Sequence, residues 1–132
     1  MKVMVDENLP PALAKALAAL FEGTHDVHHI RTYFGPGVKD VDWIGRLSRD
    51  GQWAVISGDR RITRVHAEYQ AFRNSRLVGF FLSRGLYKAP LVKQMERILV
   101  LWPSIEQSVT FVAGGAMFEL PMNSIRLKQL KI

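Results

Sequence analysis

The chain has 132 residues, 48% hydrophobic and 23% charged, a balance that excludes a disordered or membrane-embedded protein and fits one globular domain over residues 1–132. It has no cysteine, which excludes disulfide stapling and thiolate metal sites and makes the cytoplasm the expected location. Its net charge of +6 is unevenly placed: residues 1–59 carry 6 basic and 8 acidic side chains, residues 60–132 carry 12 and 4.

Lys2 to Val5 is a short apolar run that ends in two adjacent acids, Asp6 and Glu7, and it is too short for a signal peptide. After Pro10-Pro11, apolar residues at Leu13, Ala16, Leu17, Leu20 and Phe21 predict a helix with proline in its first turn. Asp26 to Ile30 predicts a second strand, and Phe34 to Gly37 (FGPG) a loop. Asp40 stands where a helix N-cap is expected, with Val41, Ile44 and Leu47 behind it and Asp50-Gly51 closing the helix. Trp53 to Ser57 is the third expected strand, ended by Gly58-Asp59.

Further on, the spacing predicts a basic helix over Ile62 to Arg73 and a buried strand over Leu77 to Leu82. A helix over Pro90 to Leu101 is expected to stop at Trp102-Pro103. Val109–Ala113 and Ala116–Leu120 flank Gly114-Gly115 as a hairpin or as a plain loop. No run is long enough to span a membrane, and there is no repeat or interdomain linker.

Strands that alternate with helices predict an α/β domain with a mainly parallel central sheet covered on both faces. In that architecture, functional groups collect at the carboxyl ends of the strands. Asp6 follows the first strand, Asp59 follows the third, and Asp40 opens the helix between them, so all three reach one edge. Converging carboxylates repel one another unless cations neutralise them. Oxygen ligands without thiols favour Mg2+ or Mn2+, which would activate water and stabilise the leaving oxygen in phosphodiester hydrolysis. Taken singly, Asp40 is equally a helix cap, Asp59 a turn former and Asp6-Glu7 a polar loop.

The segments VDENLPPALAKAL, DVDWIGRLSRDGQWAVISGDRRI, VGFFLSRGL and ILVLWP resemble PIN-like domains, specifically the VapC-type ribonuclease toxins of prokaryotic toxin–antitoxin pairs. The resemblance runs to about Pro103, and the rest is not placed by it. It implies a three-layer α/β/α domain that cleaves RNA with Mg2+ or Mn2+, a cognate antitoxin protein and a homodimer. The acids that it implies as metal ligands fall on Asp6, Asp40 and Asp59, with Glu7 and Asp42 near enough to contribute directly or through water. Asp40 and Asp42 diverge by about 200° on a helix, and Asp40 shares a side with Ile44 and Leu47. Many members carry another acid shortly after the strand-end Asp, whereas here Arg60, Arg61 and Ile62 follow, which implies weaker occupancy of a second metal or one-metal chemistry. Arg60, Arg61, Arg64 and Lys39 are candidates to hold RNA phosphate, or else form a solvated basic surface.

His28 and His29 face opposite ways on a strand, which favours structural roles for them. Trp43, Trp53 and Trp102 belong to apolar periodic segments and are expected in the core. Tyr33, Phe34 and Tyr87 are expected in loops, as base-stacking or anchoring side chains. The C-terminal SIRLKQLKI mixes apolar and basic residues and packs on its own domain or docks a partner. Two rival functions remain open: a catalytically lapsed nucleic-acid-binding module, and a phosphoacceptor receiver domain that uses Lys88. In the receiver scheme the lysine belongs after the fifth strand, and Asp40 has no task.

Overall fold

A computed structural model describes residues 1–58 and 60–131, with the side chain of Arg61 excepted, so Asp59 lies outside the described residues. Six strands form one sheet in the order β2-β1-β3-β4-β5-β6. The strands are β1 (Lys2–Val5), β2 (Asp26–His29), β3 (Ala54–Ser57), β4 (Val78–Leu82), β5 (Met117–Leu120) and β6 (Lys128–Gln129). The first five run parallel, and β6 closes the edge antiparallel to β5. The helices are α1 (Pro11–Leu20), α2 (Ile30–Phe34), α3 (Asp40–Asp50), α4 (Arg61–Arg64), α5 (His66–Arg73), α6 (Arg84–Tyr87) and α7 (Leu91–Phe111). The result is the expected three-layer α/β/α architecture.

The period of two in the strands sorts side chains between the layers. Val3, Val5, Ala54, Ile56, Phe80 and Leu82 face α1, α6 and α7 in one core cluster. Met4, Val55, Phe81 and Met117 face α2, α3, α4 and α5 in the other. Both faces of β1, β3 and β4 are buried, which is why those strands read as unbroken apolar runs. No helix among the described residues is long and apolar enough to cross a membrane.

Three expectations are corrected. Instead of stopping at Trp102-Pro103, α7 runs on to Phe111, 21 residues in all, with Pro103 inside it. An interior proline costs about 3 kcal/mol. Here the burial of Trp102, Ile105 and Val109 against the sheet outweighs it, and Trp102 also stacks on Phe21 with ring centroids 4.3 Å apart. The hairpin does not form: Val109 lies on α7, and β5 pairs in parallel with β4. Gly114-Gly115 is instead a tight helix-to-strand turn. Gly115 has φ of +90°, and a Cβ there would stand 2.2 Å from the carbonyl oxygen of Arg73. The expected helix over residues 62–73 is two helices broken at Val65, whose extended backbone opens α5.

Candidate active site at the carboxyl edge of the sheet

In a sheet ordered β2-β1-β3, the chain leaves β1 in one direction and returns to its other side at β3, so a crevice opens between the carboxyl ends of those two strands. Asp6 lies at that point. Its backbone N–H extends the ladder to the carbonyl of Ile56 at 2.8 Å. Its side chain is turned inward, and the residue is only 7% exposed. Oδ1 accepts from the backbone N–H of Glu7 at 2.7 Å, and Oδ2 accepts from the hydroxyl of Ser57 at 2.9 Å. A carboxylate held through both oxygens is fixed in direction before any ligand arrives.

Asn8 completes the clasp between the two strand ends. Its amide nitrogen donates to Ser57 Oγ at 3.1 Å, and its Oδ1 accepts from the backbone N–H of Gly58 at 2.8 Å. Tyr87, from α6, covers this turn and directs its hydroxyl to the carbonyl of Asn8 at 3.4 Å. Gly58 is required by that approach, since a Cβ would stand 2.2 Å from the tyrosine ring. Below the loop, the buried His29 places Nε2 at 2.8 Å from the carbonyl of Leu9 and accepts the N–H of Arg31 on Nδ1. That pairing assigns the ring proton to Nε2 and a scaffolding role to His29. His28 stands near Asp26, and His25 near Glu106, both away from this edge.

Asp40 is the first residue of α3, whose cap is Lys39, so the expected cap role is corrected by one position. Instead of capping, its Oδ1 accepts from the indole of the buried Trp43 at 2.8 Å. Two acids in the first turn, Asp40 and Asp42, suit the positive end of the helix dipole. Asp40 is half-buried and Asp42 exposed. Because α3 starts after β2 and returns to the amino end of β3, Asp40 belongs to the same carboxyl edge as Asp6. Glu7 is exposed, with Arg31 at 3.7 Å. No three His, Asp or Glu side chains among the described residues form a ready ligand group, and Asp59 lies outside them.

Of the basic candidates, Arg60 is engaged by Glu119 of β5. Arg64 and Lys39 are exposed, and the side chain of Arg61 lies outside the described residues. Tyr33 and Phe34 stand on α2 and Tyr87 on α6, not in loops. The sequence reading missed Asn8 and Glu119. The one local signal for Asn8 was its place between the acid pair and Leu9-Pro10; nothing near Glu119 in sequence pointed to Arg60.

A family model for the PIN-like domain matches residues 1–84, a span that holds β1 to β4 together with Asp6, Asp40 and Asp59. No curated protein and no solved structure matches the chain.

Proposed function

Because the chain belongs to the PIN-like domain family, whose members are generally nucleases, we propose that it is a metal-dependent endoribonuclease and the toxin of a toxin–antitoxin pair. The observation that carries the reading is Asp6, a carboxylate turned into the crevice between β1 and β3 and held through both oxygens. A cognate antitoxin protein and a homodimer are part of the proposal.

The donor chemistry fits Mg2+ or Mn2+: Asp6 and Asp40 offer hard oxygens, and the chain holds no thiol. In this reading Asp6, Asp40 and Asp59 hold the ion, with Glu7 and Asp42 contributing through water. When bound, the ion supplies charge stabilisation for the attacked phosphate and lowers the barrier to water attack. The chain's own groups do the positioning. Ser57 Oγ–H and the Glu7 N–H set the direction of Asp6, and Trp43 Nε1–H sets that of Asp40. Lys39, Arg60, Arg61 and Arg64 draw the RNA backbone towards this edge, Arg60 in exchange for its contact with Glu119.

The strand order β2-β1-β3-β4-β5 is shared with phosphoacceptor receiver domains, and it favours that rival. Lys88 follows β4, however, and β5 is followed by Pro121-Met122-Asn123, without the lysine that chemistry requires. The test is cleavage of single-stranded RNA by the purified protein in Mn2+ and in EDTA. Cleavage is expected only with the metal and is lost in Asp6→Asn with thermal stability retained. Undiminished cleavage in EDTA, or an active Asp6→Asn, overturns the reading; RNA binding without any cleavage establishes the lapsed module.

A further inference from the structure

The layer formed by α2, α3 and α5 carries arginine and aromatic side chains that the site at the strand ends does not use. Between α3 and α5 lies an open cleft of about 500 Å³ whose lining includes Asp42, Gly45, Arg46, Arg49 and Asn74. Asp42, Gly45, Arg46 and Arg49 follow one another at helical spacing and form one outer stripe of α3. Asp42 is in the first turn, so the cleft starts at the end of α3 that Asp40 opens and follows the helix away from it. The helix has 11 residues, about 16 Å of length.

Among the described residues, no carboxylate lies within ion-pair distance of Arg46 or Arg49. Other arginines of this layer are committed to backbone: Arg76 reaches the carbonyls of Ser48 and Arg49, and Arg73 that of Gly115. Arg46 stands on the crest of α3, because it lines this cleft and also a smaller one of about 220 Å³ with Tyr33 and Phe34 on the other side. Its guanidinium lies 4.8 Å from the centre of the Phe34 ring, and Phe34 meets Tyr33 edge-on at 5.0 Å. Tyr33 is 45% exposed.

We propose that the outer face of α3 is a track for the RNA strand leading away from the cleavage site, in which Arg46 and Arg49 hold successive phosphates and Tyr33 stacks a base. The proposal rests on the nuclease reading for the identity of its ligand. Guanidinium forks match phosphate oxygens, and an exposed aromatic ring beside them supplies the stacking that single-stranded nucleic acid recognition uses. An acidic peptide would use the arginines but not the open part of the Tyr33 ring, which packs edge-on against His28 and Trp53 and stays 45% exposed, and this is why RNA is favoured.

The test measures the affinity of a short fluorescein-labelled single-stranded RNA in EDTA, by anisotropy at several salt concentrations. Arg46→Gln/Arg49→Gln, which keeps the side-chain stem over Phe34, is compared with Lys15→Ala/Lys93→Ala, which removes two charges from the opposite layer; thermal melts confirm that both fold. The arginine pair is expected to weaken binding at least about tenfold and to flatten the log–log salt dependence by about 1.4, at roughly 0.7 per phosphate contact on a single strand. Tyr33→Leu is expected to weaken binding about fivefold and to leave the slope unchanged. Equal affinity and slope in the arginine and lysine pairs overturns the track, and so does displacement of RNA by polyglutamate as readily as by unlabelled RNA. If these effects appear and Mn2+ supports no cleavage, the track stands and the nuclease reading falls. If metal-dependent cleavage appears and the arginine pair leaves KM unchanged, the reverse holds.

Discussion

The hydroxyl of Ser57 at the end of β3 donates a 2.9 Å hydrogen bond to Oδ2 of Asp6 at the end of β1, joining two residues 51 positions apart. Ser57→Ala removes that donor and takes a partner from the Asn8 amide. A stability loss of about 1 kcal/mol is expected in chemical denaturation. Metal-dependent cleavage should fall roughly tenfold in kcat with little change in KM, since the substitution misdirects a carboxylate and removes no substrate contact. An unchanged kcat would separate Ser57 from the site.

Gly58→Ala places a Cβ 2.2 Å and 2.5 Å from two carbons of the Tyr87 ring. The ring must swing away, and a loss of about 1–3 kcal/mol is expected from such overpacking. Truncating the ring relieves the clash, so Gly58→Ala/Tyr87→Ser should cost less than the two single substitutions added together. Denaturant midpoints of the four proteins give the coupling directly; additivity would mean that the ring yields without cost.

Glu119→Gln releases Arg60, whose side chain is 34% exposed and whose partner is 21% exposed. The fold should lose about 1 kcal/mol, the upper end of the range for exposed pairs, because this one is partly shielded from solvent. RNA affinity measured in EDTA should rise several-fold, with a salt slope steeper by about 0.7 if Arg60 gains a phosphate. A drop in affinity would place Arg60 in a purely structural role.

Lys2 and Asp50 form an exposed pair at 2.9 Å, and Asp50 also accepts the indole N–H of Trp53. The hydrogen bond from Lys2, followed by that from Trp53, lowers the Asp50 carboxyl below its ordinary 3.8. The hydrogen bond to Asp50 raises Lys2 above its ordinary 10.5. A lowered carboxyl stabilises the fold above its unfolded-state value and loses that contribution as pH falls through the folded-state value. A raised amine stabilises below 10.5 and loses the contribution as pH rises through the higher folded-state value. The melting temperature of the wild type should therefore exceed that of Asp50→Asn at neutral pH, with the gap closing below pH 3.8 and above pH 10.5. A gap that persists at both extremes would show that packing, and not this pair, distinguishes the two proteins.

Much of the fold is legible along the chain because strand and helix patterns are local. The apolar runs at residues 2–5, 54–57 and 78–82 have the length and composition of strands buried on both faces, and Ile44 and Leu47 mark the inner side of α3. Local rules failed where a distant surface decided the outcome. Pro103 reads as a stop, yet α7 passes through it because Trp102, Ile105 and Val109 have a sheet to cover. Gly114-Gly115 reads equally as a hairpin turn, and only the close backbone of Arg73 makes it a helix-to-strand junction.

The candidate site divides in the same way. By itself the sequence determined that Asp6 ends a buried strand and that Asp40 opens an amphipathic helix, because each follows from spacing over a few residues. Tertiary structure alone decided that β3 lies beside β1, which brings Ser57 and Asn8 onto the Asp6 carboxylate, and that β5 puts Glu119 against Arg60. Strand order is set by which faces bury the most apolar surface across the whole sheet, and no short window of sequence contains that sum.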